Sequence, residues 1–479
     1  MKNAGRVLFI IHDVYQEDNH FPLGIGYLAS ILKGMGSKVK VYCQDLFHYS
    51  NEDLAHYLSD EEFDLIGVGF MAARYSETVK PLCKVINQHK KSAWLVLGGY
   101  GPSPIPEFML RDTGADIITI GESEETIGEL LKSKINSSPP LSSIYSIAYR
   151  EGDKVSVNTR RKPIKKIDEI PLPEWSLFPM DKYSDCLNLF NSQEGDRVLG
   201  LLTSRGCVGK CTFCYRMETG IRIRSVKKVV EEMKILYDRH GINYFFMQDE
   251  LFAFSKKRMI ELGKELKKNN LKIKYSCDCR VDIFDKDMAQ IMVDTGCQFF
   301  DFGFESADQT VLNNLRKGTT VEQNINAAEI VTSFKNIGIG LNFLWGNIGD
   351  SEKTLRKNID FIKRFNQYHQ VRTIRPVTPY PGSQLYDYAI EKGLLKGPGD
   401  FFKKFVNSDL FTVNFTDMPD KEYYEILLKG NKELINDHFK HTSNDMEQAE
   451  NLINNFRDLY TGKINNFRGA RHYDKKKNK

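Results

Sequence analysis

The chain lacks most of the features that announce a function. No run of apolar residues approaches the roughly 20 that a membrane helix needs, so a membrane span is not expected. The opening MKNAGRVLFII passes directly into the polar HDVYQEDNH, which reads as a short buried strand and not a signal peptide. Net charge is only +4, too little to suggest a nucleic-acid binder. The one basic block, Arg468–Lys479 at the end of the chain, reads as a solvated terminus. Cysteines number 9, an odd count without regular spacing outside one segment. This argues against a disulfide framework and fits a reducing cytoplasmic setting.

What is present is globular: 479 residues, 41% hydrophobic and 27% charged, too long for one ordinary core. Residues 1–135 alternate apolar runs (Val7–Ile11, Val39–Cys43, Leu65–Phe70, Trp94–Leu97, Ile117–Ile120) with helical patterns such as Leu23–Met35, Val79–Gln88 and Glu124–Leu131. Such alternation predicts an α/β fold with a doubly wound parallel sheet of the Rossmann or flavodoxin kind. Ligands of such sheets bind beyond the carboxyl ends of the strands. Gly69, Gly98, Gly99 and Gly121 at those ends allow close backbone approach, or are plain turns. Residues 146–194 read as a hairpin turning at Gly152 and an ordered linker with three prolines in IPLPEWSLFPMDKY.

Residues 195–385 alternate again, with strands expected at Val198–Thr203, Tyr244–Gln248, Ile273–Cys279, Phe299–Phe304, Ile339–Leu344 and Val371–Arg375. Helices such as Val226–Arg239 and Asp287–Thr295 lie between them. Six βα units predict a partial (β/α)6 TIM barrel, with its chemistry at the carboxyl ends of the strands. Residues 386–479 form a helical region, with patterns at Glu422–Leu434 and Asn444–Leu459, and end in the basic tail.

One segment carries chemistry. TSRGCVGKCTFCYR sets Cys207, Cys211 and Cys214 in C-x3-C-x2-C spacing, directly after the first of these strands. Structural zinc prefers two paired ligand sets, and no second pair follows. Three dense thiolates suit an iron–sulfur cluster. In a [4Fe–4S] cluster three protein ligands leave one iron open.

With that spacing, residues 195–385 resemble the radical SAM enzymes. The resemblance implies that the open iron binds the amino and carboxylate groups of S-adenosylmethionine (SAM), and that an electron from the cluster yields a 5′-deoxyadenosyl radical. It implies SAM contacts at Phe213, before the last cysteine, and at Asp249 and Glu250 in FFMQDE, where the family often has Gly-Gly-Glu. It adds Arg280 in CDCRVD, Glu305 and Ser306 in DFGFES, and Gly346, with Gly349, in LWGNIGD. Arg375 and Tyr380 fall near its substrate pocket. Cys277 and Cys279 alternate on one strand and so share a face. They are a thiol pair near a radical or, more simply, small packed residues, as Cys297 also is.

Residues 1–145 resemble the cobalamin-binding domains that precede one radical SAM class, through PLGIGYLASILKGMGSKVKVY, GVGF, LVLGGYGPSPIPE and ITIGESEETIGELL. That resemblance implies cobalamin contacts at Leu23, Gly24, Gly69, Met71, Gly98, Gly99, Tyr100, Gly121 and Glu122. The Asp-x-His-x-x-Gly motif of many cobalamin proteins is absent. Asp18-Asn19-His20 followed by Gly24 is its nearest approach, and His12 and Asp13 fall close to the expected site. The class implies a methyltransferase using a [4Fe–4S] cluster, SAM and methylcobalamin to methylate an unactivated carbon of a small metabolite. A flavodoxin or ferredoxin would supply electrons, and no nucleic acid would take part. A non-methylating cyclase, rearranging or oxidative enzyme of the same architecture is the alternative, and a non-catalytic cobalamin- or SAM-binding protein a third.

Overall fold

The computed structural model describes residues 4–14, 19–72, 74–187 and 189–465, so the basic tail Arg468–Lys479 and Asp18 lie outside the described residues. The chain divides into two compact units. One comprises Met1–Asn188, Glu194–Gly206 and Arg216–Phe245, and the other Leu189–Gln193, Cys207–Tyr215 and Phe246–Lys479. No helix among the described residues is long and apolar enough to cross a membrane.

The first sheet contains β1 (Arg6–Ile11), β2 (Lys38–Cys43), β3 (Leu65–Gly69), β4 (Trp94–Gly98), β5 (Ile117–Thr119), β6 (Ile147–Glu151) and β7 (Lys154–Val157). Its order is β2-β1-β3-β4-β5-β6-β7. The first five strands pair in parallel, and the predicted hairpin β6–β7 extends their edge antiparallel through β5. Val7, Leu8, Phe9 and Ile10 are all buried, as expected for a strand covered on both faces. Strand order reverses between β1 and β3, which makes their carboxyl ends the switch point where such sheets bind ligands. Sequence periodicity missed two helices of this unit, Asn51–Asp60 and Pro106–Thr113. The first is specified locally by a capping box of Ser50 and Asp53.

The remaining strands are β8 (Val198–Leu201), β9 (Ser204–Arg205), β10 (Arg222–Ile223), β11 (Tyr244–Met247), β12 (Lys274–Cys279), β13 (Cys297–Glu305), β14 (Gly338–Trp345) and β15 (Arg375–Pro376). β9 and β10 pair antiparallel. The others form a sheet of order β15-β14-β13-β12-β11-β8, an open arc with β8 and β15 at its ends. The helix Val226–His240 shows why the intervening segments coil. Ser225 caps its first turn, Val226, Val229, Val230, Met233 and Leu236 bury one stripe, and Gly241 at φ 66° ends it.

The sixth strand is shorter than its apolar run suggests. The Asn431 side chain, from the helix Asp420–His441, bonds both the N–H and the C=O of Ile374. That backbone is thereby satisfied without a ladder, and strand pairing begins only at Arg375. The helix Met446–Tyr460 packs Leu452, Ile453 and Phe456 against Ile435 and Phe439 of the same C-terminal pair.

One buried acid of the first unit gives stability a pH dependence. Burial pushes the Asp45 carboxyl up to about 7, partly offset by the Tyr183 hydroxyl, which donates to it at 2.8 Å. Its other oxygen is buried without a partner. Because the folded pKa is raised, this group contributes stability that is full below the unfolded pKa and lost as pH rises toward 7. Asp45→Asn is expected to gain stability relative to the parent at pH 8 compared with pH 5, read from urea unfolding midpoints. An unchanged difference between the two pH values would contradict this.

Candidate functional site

The cysteine segment is built as a loop with a pinched neck. Arg205 on β9 pairs with Arg222 on β10, and the three cysteines lie on the chain between them. Just inside, Gly206 (φ 85°) is so close to the carbonyl of Gly220 (φ 81°) that a Cβ at 206 would collide with it. Only glycine suits that approach with that backbone. The Glu122 carboxylate, at the end of β5, spans the neck: Oε1 accepts from Arg205 at 3.1 Å and Oε2 from Arg222 at 2.8 Å. Oε2 also accepts from the N–H of Ile164 at 3.1 Å. Arg205 reaches a second carboxylate, Glu124, at 2.6 Å and lies over the Tyr27 ring. Burial disfavours the charge on Glu122, but the two arginines outweigh it and hold its carboxyl below the ordinary range.

Within the loop, Gly209 sits between two of the thiols. A Cβ there would lie 3.3 Å from Cys207 Sγ, 3.8 Å from Cys211 Sγ and 3.2 Å from Arg280 Nη1. The Gly209 N–H donates to Cys207 Sγ at 3.3 Å. Cys207 and Cys211 are partly buried and Cys214 is exposed. The loop backbone is fixed on both sides of Phe213's neighbour Thr212: its N–H donates to Leu315 O at 2.9 Å and its C=O accepts from Leu385 N at 2.8 Å. Among the described residues no three His, Cys, Asp or Glu side chains close on the radius of a single ion. A four-iron cluster holds its thiolates farther apart than one ion does, and three thiols on one loop suit it.

Two cations stand beside these thiols. Arg280 is gripped by Asp282 in a fork (3.0 and 2.9 Å), donates to Lys317 O at 3.2 Å and turns Nη1 toward Gly209. Lys317 donates to Glu305 at 2.9 Å, and both side chains are buried. Burial pushes the Cys211 thiol up, while Lys317 and Arg280 pull the other way. The charge on Lys317 is opposed by burial but secured by Glu305, which leaves its pKa raised. Glu305 adopts φ 62°, a left-handed conformation costly for a residue with a Cβ. Lys317 was not foreseen. It follows Glu305 across a short helix, and nothing in its spacing distinguishes it from a solvated lysine.

Strand alternation decides which faces matter. On β13, Phe302 and Phe304 are buried, with Phe304 packed on Phe361 of the helix Glu352–Phe365. Gly303 faces the other way, where a Cβ would meet the Glu305 and Lys317 side chains. Cys277 and Cys279 are in register with Phe300 and Phe302, hence on the helix-packed face. Their sulfurs are 3.8 Å apart and buried, and burial pushes both thiols up. This favours packing over reactivity.

The other expected SAM residues are dispersed in role. Asp249 is buried and Glu250 exposed, both just after β11. The Ser306 hydroxyl accepts from Asp308 N at 3.1 Å in the turn after β13. Gly346 (φ 87°) lies against the Tyr423 hydroxyl, so its lack of a side chain is already used by protein packing.

The strand ends of the first unit sort in the same way. A Cβ at Gly98 would lie 2.6 Å from Thr119 Oγ1, at Gly99 2.9 Å from Phe70 O, and at Gly121 2.9 Å from Glu218 Oε1. Each of these glycines, and Glu122 with its arginines, has close neighbours within the protein. Gly24 instead faces open space. Met71 and Tyr100, 67% and 38% exposed, leave apolar surface uncovered beyond β3 and β4. Leu23 is buried at the start of the first helix, and Gly69 touches Ile25. His20 is exposed. His12, at the end of β1 and edge-on to Phe70, has a buried Nδ1 without a hydrogen-bond partner, and burial lowers its pKa to about 4. Asp13 accepts from or pairs with His48 Nδ1 at 2.7 Å. Uncovered apolar surface, an open glycine and a buried imidazole nitrogen without a partner at a switch point fit a large planar cofactor.

A doubly wound domain, an open α/β arc and a cysteine loop at its first strand define a two-domain cofactor enzyme. The family model for the Radical SAM superfamily matches residues 201–362, and that for the B12 binding domain residues 14–131. An uncharacterized methyltransferase of Pyrococcus horikoshii is 32% identical over 380 residues, 78% of this chain and 79% of its own. The anaerobic magnesium-protoporphyrin IX monomethyl ester cyclase of Rubrivivax gelatinosus is 26% identical over 396 residues, covering 80% of this chain and 69% of its own. The radical S-adenosylmethionine methyltransferase TsrM from Kitasatospora setae, solved with cobalamin and a [4Fe–4S] cluster, superposes with a TM-score of 0.66 at 18% identity. That superposition covers 83% of this chain and 76% of TsrM and is a likeness of fold. The chain belongs to the radical SAM superfamily, in the class that carries a B12-binding domain, and is an enzyme of that class. The two family models name SAM and B12 as the cofactors of its two domains.

The Lys317–Glu305 pair is the site's most exposed weakness to mutation. Removing one partner strands the other as a buried charge, which costs about 3–5 kcal/mol. Lys317→Met is expected to destabilise by that order in denaturant unfolding, and Lys317→Met combined with Glu305→Gln to recover a large part of it. Additive losses in the double variant would contradict the pairing.

Proposed function

We propose that the chain is a cobalamin-dependent radical SAM methyltransferase acting on a small molecule. The observation that carries this reading is the loop of Cys207, Cys211 and Cys214, with two thiols turned toward Gly209 and the cations Arg280 and Lys317 beside them. In this reading the three thiolates hold the cluster, and the cations offset part of its negative charge. Glu305, Asp249 and Glu250 offer carboxylates to the ammonium of SAM, Arg280 and Lys317 face its carboxylate, and Phe213, Ser306 and Gly346 border the nucleoside. Leu23, Gly24, Gly69, Met71, Gly99 and Tyr100 form the bed for the corrin ring, with His12 beneath the switch point. When bound, these groups supply reductive cleavage of SAM to a carbon radical and transfer of a methyl group from cobalt. The protein's part is to fix both cofactors and exclude water. Flavodoxin or ferredoxin is the proposed electron donor, and the cytoplasm the proposed location.

A second reading, radical cyclisation without methylation, is favoured by the similarity to the Rubrivivax gelatinosus cyclase. The two differ in what becomes of SAM. Protein purified anaerobically with cobalamin supplied, then reduced in the presence of SAM, is expected to retain cobalamin and release both 5′-deoxyadenosine and S-adenosylhomocysteine. Cys211→Ala is expected to abolish the 5′-deoxyadenosine. Release of 5′-deoxyadenosine alone would favour the cyclase reading, and release of neither would sink both.

A further inference from the structure

The neck of the cysteine loop carries more ion pairing than a two-residue hairpin needs. Both of its feet, Arg205 and Arg222, end on the one carboxylate of Glu122, and Arg205 adds Glu124. The four side chains are nearly buried, so solvent screens the pairs weakly. Both glutamates come from the GESEE run after β5, on the domain matched by the B12-binding family, whereas the arginines flank the cysteines in sequence. A bidentate guanidinium fixes direction as well as distance. Arg205 receives one oxygen from each of two carboxylates, and Glu122 gives its other oxygen to Arg222 and to the Ile164 N–H. Arg222 is also held by Ile164 O at 2.8 Å. Both oxygens of Glu122 are therefore engaged by groups of the protein.

We infer that Glu122 and Glu124 are positioning residues for the cluster loop, which clamp Arg205 and Arg222 so that Cys207, Cys211 and Cys214 are presented in one arrangement. Glu122 acts on the cluster and not as a cobalamin contact. Two backbone bonds of Thr212 fix the middle of the loop, and the Glu122 clamp fixes its ends. A neutral amide at 122 keeps the shape and one acceptor but loses the charge that holds two guanidinium groups. The loop then samples arrangements in which the three sulfurs no longer match one cluster.

The inference rests on the reading of the three cysteines as cluster ligands, so the test needs one readout with a cluster and one without. The full-length protein and its Glu122→Gln variant are reconstituted anaerobically. Iron content, the electron paramagnetic resonance line shape of the reduced cluster, its midpoint potential and bound cobalamin are then compared. In cluster-free protein the rates of Cys207 and Cys211 alkylation by iodoacetamide are measured by mass spectrometry. Arg161→Gln is the control: Arg161 pairs with Glu125 and Glu129 of the helix Glu124–Asn136, whereas the neck pairs join Arg205 and Arg222 to Glu122 and Glu124.

Glu122→Gln is expected to lower retained iron, broaden or shift the cluster signal and speed alkylation several-fold, with cobalamin retained. Arg161→Gln is expected to match the parent in all of these. Parent-like signal and alkylation in Glu122→Gln, the same change in Arg161→Gln, or loss of cobalamin with an intact cluster would each overturn the inference. If Glu122→Gln does not fold, Glu124→Gln removes one of the two carboxylates on Arg205 and must show the same change in smaller measure. A parent that takes up no cluster would refute the cysteine reading, and the alkylation rates would still decide the positioning role.

Discussion

One carboxylate, that of Glu122, closes the neck of the segment that carries the proposed cluster ligands. Beyond the two-residue pairing of β9 with β10, the loop that carries the three thiols has no ladder to hold it. Loops are otherwise the mobile parts of a fold. Here the ends are clamped by Arg205 and Arg222 on Glu122, the approach of Gly206 to Gly220 O sets the width, and Thr212 anchors the middle. The clamp depends in turn on β5 ending where it does, since Gly121 at φ 81° turns the chain that delivers Glu122.

The second unit solves a related problem with strand alternation. β13 turns Phe300, Phe302 and Phe304 to one face and, beyond Phe299, places Asp301, Gly303 and Glu305 on the other. The Glu305–Lys317 pair and the Arg280–Asp282 fork leave both signs of charge beside Cys207 and Cys211. A cluster and a zwitterionic ligand each need compensation of that kind, because isolated charge in a low-dielectric site is costly. Glu305 retains a left-handed backbone, the kind of local strain that persists where the surroundings over-determine it.

Much of this was legible in the sequence. Alternating apolar runs located every strand of the first parallel sheet and, for the second, all but the length of β15, where Asn431 replaces the ladder from another part of the chain. Local spacing placed the cysteine loop after β8. What could not be read were pairings that join residues far apart in sequence: Lys317 with Glu305, and above all Glu122 with Arg205 and Arg222. The resemblance implies a cobalamin contact at Glu122 from its place after a strand end, and its pairing with the two arginines is a feature that only the fold reveals. The same holds at Gly98, Gly99 and Gly121, whose close neighbours Thr119, Phe70 and Glu218 could not be read from the sequence.

The central claim is that three thiolates hold a four-iron cluster and leave one iron open to SAM. Electron paramagnetic resonance of the anaerobically reduced protein, recorded before and after SAM is added, tests it most directly. The account predicts about four iron ions per chain, a reduced-cluster signal that shifts when SAM is added, and loss of both in Cys207→Ala, Cys211→Ala and Cys214→Ala. A cluster signal that SAM leaves unchanged, or one that survives removal of all three cysteines, would contradict it.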